Sequence, residues 1–148
     1  MEDSGPDLEL VKAFSQRAEL DLKDAQILLE NKDYSAASYF AQQSSEKIVK
    51  CVLILNNKFE RTHYVSKLLA ELTAGMEGVW KKRLEDLVPD MDDLEESAAV
   101  SRYPEPRGNK VWNPLIEYTE DDAKEAIEKA RKIYAEIKLF LADVHKFH

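Results

Sequence analysis

The sequence predicts an all-α fold, an antiparallel up-and-down bundle of four to five helices, on three observations. Apolar residues recur every three or four positions over long stretches, glycines and prolines number only four and five, and no alternating strand pattern of useful length occurs. The chain of 148 residues is the usual size of one domain. Residues 1–148 are therefore read as a single helical domain with one core, and no repeat of 20–50 residues interrupts that reading.

The first helix is predicted over about residues 6–31, because Val11, Phe14, Ala18, Leu22, Ala25 and Leu29 share one face at helical spacing. Ser4 followed by Asp7 fits a capping arrangement, and Pro6 is tolerated in a first turn whose amides lack intrahelical partners. Asn31, Lys32 and Asp33 form a short polar connection, with Asp33 placed to cap a second helix, so the first two helices are antiparallel neighbours. The second helix carries Ala37, Ala41, Ser44, Ile48, Cys51 and Leu55 on one face and ends at Asn56 and Asn57. Its small residues near the turn permit close helix approach.

A shorter third helix, capped by Thr62, uses Val65, Leu68, Leu69 and Leu72 and stops near Gly75. Val79, Trp80, Leu84, Leu87 and Val88 continue a helical pattern that Pro89 is expected to kink or break, with Asp90 restarting it towards Val100. Pro104, Pro106, Gly108, Asn109 and Pro114 make residues 102–118 an expected extended loop, long enough to be functional. Thr119 and Asp122 then give a helix-start signature, followed by Ala123, Ile127, Ala130, Ile133, Ile137, Leu141 and Val144 on one face of a closing helix.

A formal charge of −8 argues against a protein that coats nucleic acid, since such binding needs a basic surface that releases counterions. No bulk DNA binding is expected. Acidity is concentrated at Glu85, Asp86, Asp90, Asp92, Asp93, Glu95 and Glu96, where helix-dipole complementarity and solvation account for it, and Arg102, Arg107 and Lys110 follow as a basic stretch. The adjacent segments of opposite sign are placed to orient a partner. No apolar run reaches the roughly 18 residues of a membrane span, and the amino terminus is unlike a signal peptide, so a cytoplasmic protein without membrane association is expected. The single cysteine, Cys51, lies in an apolar run and reads as a buried, inert thiol. His145 and His148, three residues apart at the terminus, do not define a zinc site, and neither a metal nor a cofactor is implied.

The residues that invite a functional reading begin in the second helix. Between Ile48 and Leu55 only Lys50 is not apolar, so this helix is greasy nearly all round and should be enclosed by other helices or by a partner chain. Yet Gln43, Glu46, Lys47 and Lys50 recur there as one polar stripe. Either Gln43 with Lys47 and Glu46 with Lys50 are ordinary surface pairs one turn apart, or they form a half-buried site in which the lysines attract phosphate and Gln43 and Glu46 bond to a base, a sugar or a partner's backbone. His63, at an expected helix start, either bonds locally or faces a phosphate. Arg102 and Tyr103 offer a planar cation and an aromatic hydroxyl at the entrance of the proline-containing loop, a pairing suited to phosphate or base.

The run Gln42-Gln43-Ser44-Ser45-Glu46-Lys47-Ile48-Val49-Lys50, then His63 followed by Leu68-Leu69, then Ser101-Arg102-Tyr103-Pro104, resembles the HEPN domain family over most of the chain. Leu20-Asp21-Leu22 with Ala25, and Asp121-Asp122-Ala123, stand in the family's order as well. The resemblance implies a small prokaryotic helical bundle, commonly a homodimer, often encoded beside a minimal nucleotidyltransferase in a toxin–antitoxin-like pair and associated with nucleotide or RNA. Many such proteins are metal-independent RNases built on an arginine followed four to six residues later by histidine. Here the nearest arginines are Arg61, two residues before His63, and Arg131, fourteen before His145, so that spacing is absent.

The expectation is therefore a noncatalytic, nucleotide-associated module that partners a nucleotidyltransferase. Gln43, Glu46, Lys47, Lys50, His63, Arg102 and Tyr103 are its binding residues, and no catalytic residue is assigned. The alternative is an RNase toxin with a composite site in which His63 and Arg102 meet in space.

Overall fold

The computed structural model describes residues 6–148, with Val100 described by its backbone alone. In chain order it runs α1 (Leu8–Glu30), α2 (Tyr34–Leu55), α3 (Ser66–Ala74), α4 (Val79–Glu85), α5 (Val88–Ser101), β1 (Glu105–Arg107), β2 (Lys110–Trp112), α6 (Pro114–Glu117) and α7 (Glu120–His145). The expected Ser4 cap lies outside the described residues. Asp7 is itself the N-cap, its carboxylate accepting from the Leu10 amide at 2.9 Å, which leaves Pro6 ahead of the helix rather than in its first turn. Asp33 caps α2 through the Ala36 amide at 3.4 Å, and Thr119 and Asp122 form a reciprocal capping box on α7.

The tight connection makes α1 and α2 antiparallel partners. Lys32 takes a left-handed φ of 64°, and the Asp33 amide donates back to the Leu28 carbonyl at 2.9 Å. Ala18, Ala25, Ala37, Ala41 and Ser44 are fully buried between the two helices. Their small side chains bring the backbones close enough for Ser44 Oγ to donate to the Ala18 carbonyl at 2.7 Å.

Helix α2 is the axis of the bundle, packed by α1, α5 and α7 and touched by α3. Its own chain therefore supplies the enclosure that its composition demands. Ile48, Val49, Val52 and Leu53 join Leu69, Leu84, Met91, Ile133, Ile137 and Leu141 in one hydrophobic cluster. Cys51 lies in it with no exposure, and burial pushes its thiol up to about 12, an inert state.

The side of the bundle formed by α3, α4 and α5 departs from expectation at two points. Pro89 does not break a helix: α4 ends at Glu85, and Pro89 sits in the first turn of α5, where its missing amide costs nothing. Thr62 does not cap α3; its hydroxyl accepts from the Tyr64 amide at 3.1 Å instead. The free amides of Val65 and Ser66 are met by the carboxylate of Glu95, reaching across from α5 at 2.6 and 3.1 Å, while Ser66 Oγ donates to its other oxygen at 2.6 Å.

Arg83 holds α4 to α7 through a two-point pair with Glu136 at 2.9 and 2.7 Å, its guanidinium 4.0 Å from the Trp80 ring. The indole of Trp80 donates to Asp143 at 2.7 Å.

Residues 102–118 are not a plain extended loop. Strands β1 and β2 pair antiparallel, Glu105 with Trp112 and Arg107 with Lys110, across a two-residue turn in which Gly108 has φ 62°. The short α6 follows, capped by Asn113 through the Leu115 amide. Pro114, counted in sequence as a loop former, starts this helix. At the other end, α7 stops at His145 with Lys146 left-handed, so His145 and His148 do not share a helical turn.

Candidate functional site

The polar stripe of α2 is a buried network and not a solvated face. Glu46 and Lys50 are 2% and 7% exposed. Lys50 Nζ donates to Glu46 Oε2 at 2.8 Å, and Gln42 Nε2 donates to Glu46 Oε1 at 3.2 Å. Gln43 Nε2 donates to Gln42 Oε1 at 2.8 Å while its own carbonyl accepts from Lys47 Nζ at 3.0 Å. Lys47 completes the chain by donating to Asp21 Oδ2 on α1 at 2.6 Å. Both of the one-turn pairs read from the sequence form, Glu46 with Lys50 under cover and Gln43 with Lys47 half-buried.

Asp21 is 1% exposed, and its Oδ1 has Arg17 Nε 3.1 Å away as an ion pair without an aligned hydrogen bond. An ion pair this enclosed gains geometric definition more than stability, because desolvation offsets much of the attraction.

Glu46 Oε2 also meets His63 Nδ1 at 3.3 Å, on a histidine whose side chain is 81% exposed. Helical periodicity places the carboxylate, and the chain entering α3 places the imidazole. When Nδ1 carries the proton and donates to Glu46, Nε2 is left as an acceptor. The arrangement therefore orients a histidine from beneath.

His63, Gln43, Arg102 and Tyr103 converge on one cleft of about 210 Å³, together with Tyr39, Gln42, Tyr64 and Glu95. Arg102, at the carboxyl end of α5, holds its guanidinium 4.8 Å from the Tyr39 ring and 5.3 Å from the Tyr103 ring. The walls thus combine aromatic faces, amides that can both donate and accept, an exposed arginine beside two rings and a histidine whose Nδ1 meets a carboxylate. Such a set has the chemistry to meet a planar ring or a phosphate oxygen, and His63 Nε2 is the atom at which a proton could pass.

Three of the sequence-derived site residues do not line this cleft. Glu46 acts on it only through His63 and Gln42, Lys47 is turned towards α1, and Lys50 opens on a different hollow. Sequence reasoning assigned no site role to Tyr39 and Tyr64, took Asp21 and Gln42 only as part of the family's pattern, and read Glu95 as one of an acidic run. Asp21 falls three residues after buried Ala18 and four before buried Ala25, so its place on the inner face of α1 was available as a signal. Glu95 likewise falls between Met91 and Ala98 on the buried face of α5. Among the described residues no group of three or more His, Cys, Asp or Glu side chains is gathered to hold a metal ion, and no helix is long and apolar enough to cross a membrane.

The fold and the buried polar stripe define a small all-helical bundle whose central helix carries polar groups to a lateral cleft. The chain belongs to the HEPN family: the HEPN domain model matches residues 11–140. A protein of Methanocaldococcus jannaschii named "Putative toxin MJ1304" is 43% identical over 145 residues, covering 97% of this chain and 95% of that protein. Among solved structures, TT1696 from Thermus thermophilus superposes with a TM-score of 0.72 at 28% identity, over 87% of this chain and 96% of that one. ST0689, described as an archaeal HEPN homologue, gives 0.68 at 28% identity over 88% and 97%. The all-α bundle expected from spacing is the observed class, and the kinship expected from the ordered motifs is the family found.

Proposed function

We propose that this chain is the toxin-like half of a toxin–antitoxin-type pair, a noncatalytic module that binds a nucleotide or an RNA phosphate in the cleft and partners a separately encoded minimal nucleotidyltransferase. The observation that carries the reading is the convergence of Gln43, His63, Arg102 and Tyr103, from three separate segments, on one cleft with aromatic walls. The toxin-like name of the M. jannaschii relative supports the class. In this reading the chain works as a cytoplasmic homodimer, with Glu46, Lys47 and Lys50 bracing the cleft from below. Calorimetry with AMP and ATP, with co-purification of the protein encoded beside this one, tests it. Binding of a nucleotide or of the nucleotidyltransferase upholds it, and absence of both interactions sinks it.

A second reading, RNA cleavage, is favoured by one observation: His63 is held by Glu46 and shares its cleft with Arg102. In that chemistry Nε2 accepts the proton of an attacking ribose 2′-hydroxyl, the new oxygen–phosphorus bond displaces the 5′-oxygen, which leaves with the electron pair of the broken bond and takes a proton from water, and Arg102 steadies the phosphate charge. Incubation of RNA with the protein and with His63→Asn separates the readings. Cleavage lost in the variant selects the enzyme, and intact RNA throughout selects the binding module.

A further inference from the structure

His63 walls a second cleft. It is larger, about 370 Å³, and its other walls include Leu10 and Phe14 of α1, Lys50 of α2, and Phe59 and Arg61 of the segment leading to His63. Phe14 and Phe59 stand with ring centroids 6.1 Å apart and tilted at 52°, an apolar wall of two half-buried rings. Lys50 joins this hollow to the buried network of α2. Its side chain is 9% exposed, its ammonium lies 5.7 Å from the Phe14 ring, and its one hydrogen-bond acceptor among the described residues is Glu46. That pairing leaves an ammonium of three donors on the wall of the hollow with one carboxylate acceptor, so a bound anionic group can share it. The neighbours Val49, Cys51 and Ile54 show what the core asks of this helix, so a lysine here serves something other than packing. Arg61 is exposed on the same wall.

We infer that this hollow is a second subsite, which takes an anionic group between Lys50 and Arg61 and a flat ring against Phe59. Because His63 belongs to both clefts, the ligand straddles it, with one ring on the Tyr39 and Tyr103 side and the other on the Phe14 and Phe59 side. The ligand class is then two nucleosides joined through a phosphate that sits in this hollow between Lys50 and Arg61, and a mononucleotide, with ring and phosphate both in the first cleft, fills only one half. This inference rests on the nucleotide-binding reading above and sets the length of its ligand.

Calorimetry on the full chain with AMP and with the dinucleotide ApA tests it, using wild type and Arg61→Ala. Arg61 is exposed, so its removal leaves the fold intact, which circular dichroism checks. The expected result is ApA binding at least roughly tenfold tighter than AMP, with Arg61→Ala erasing most of that advantage while leaving AMP affinity unchanged. AMP binding with no gain for ApA overturns the second subsite and leaves the nucleotide reading standing. Equal weakening of both ligands in Arg61→Ala also overturns it, since the arginine then acts as a general charge. Binding of neither ligand removes the second subsite together with the nucleotide reading on which it rests.

Discussion

Lys47 is the residue at which the buried network is most exposed to test. Its ammonium lies 2.6 Å from Asp21, which is 1% exposed. Lys47→Ala strands that carboxylate with only the outward-facing Arg17, and an uncompensated buried charge is expensive. The expected loss is about 2–3 kcal/mol in urea denaturation, with Asp21→Leu/Lys47→Met recovering most of it because a well-packed apolar pair avoids the desolvation cost. A loss under roughly 0.5 kcal/mol in the single variant would show that the pair contributes nothing beyond a surface contact.

His145 makes a second residue-scale prediction. Its Nε2 is buried without a partner, its ring lies 5.4 Å from that of Phe140, and burial holds its pKa below the ordinary value. The folded chain thus resists a proton that the unfolded chain accepts from about pH 6.5 downwards. Stability from this group is fully present above that pH and declines as pH falls below it. His145→Phe is expected to flatten that part of the stability curve, and an unchanged slope from pH 7 to 5 would contradict the assignment.

At the scale of elements, Glu95 replaces the cap that α3 lacks. Val65, the residue before α3, contributes no side-chain cap, and the Glu95 carboxylate accepts three hydrogen bonds there. Since Glu95 also lines the cleft, α5 and the segment bearing His63 are joined through it. Glu95→Ala is expected to cost about 1–2 kcal/mol and to speed amide exchange in α3 more than in α7, whereas Glu95→Gln retains part of both. Uniform acceleration across all helices would refute a local cap.

The same element shows where sequence reading stops. The long helices α1, α2 and α7 were legible because spacing and capping residues are local properties. The partner of a helix start was not, because Glu95 lies 29 residues beyond Ser66 and looks like one more member of an acidic run. The β1–β2 hairpin was hidden by three-residue strands too short for alternation to register. For the cleft, residue types were legible in Gln43, His63, Arg102 and Tyr103. The division of labour was not, since only packing decides that Lys47 turns to α1 while Lys50 opens on a second hollow.

At the scale of the whole molecule, a net charge of −8 works against the few cations that face the clefts. A nucleotide approaching from solution meets repulsion from the acidic surface, including the exposed carboxylates of α5, and attraction at the first cleft from Arg102. With a Debye length of about 10 Å at 0.1 M salt, added ions screen the long-range repulsion and the exposed Arg102 contact together. The two effects oppose each other, so nucleotide affinity should change less than about threefold between 50 and 200 mM salt. A surface that neutralises many phosphates loses about 10³–10⁵ over the same range. Calorimetry with AMP at the two salt concentrations measures the slope directly. A steep loss would mean that binding occurs on a dispersed basic patch and not in the cleft, and would leave the aromatic walls and buried donors without a part in holding the nucleotide.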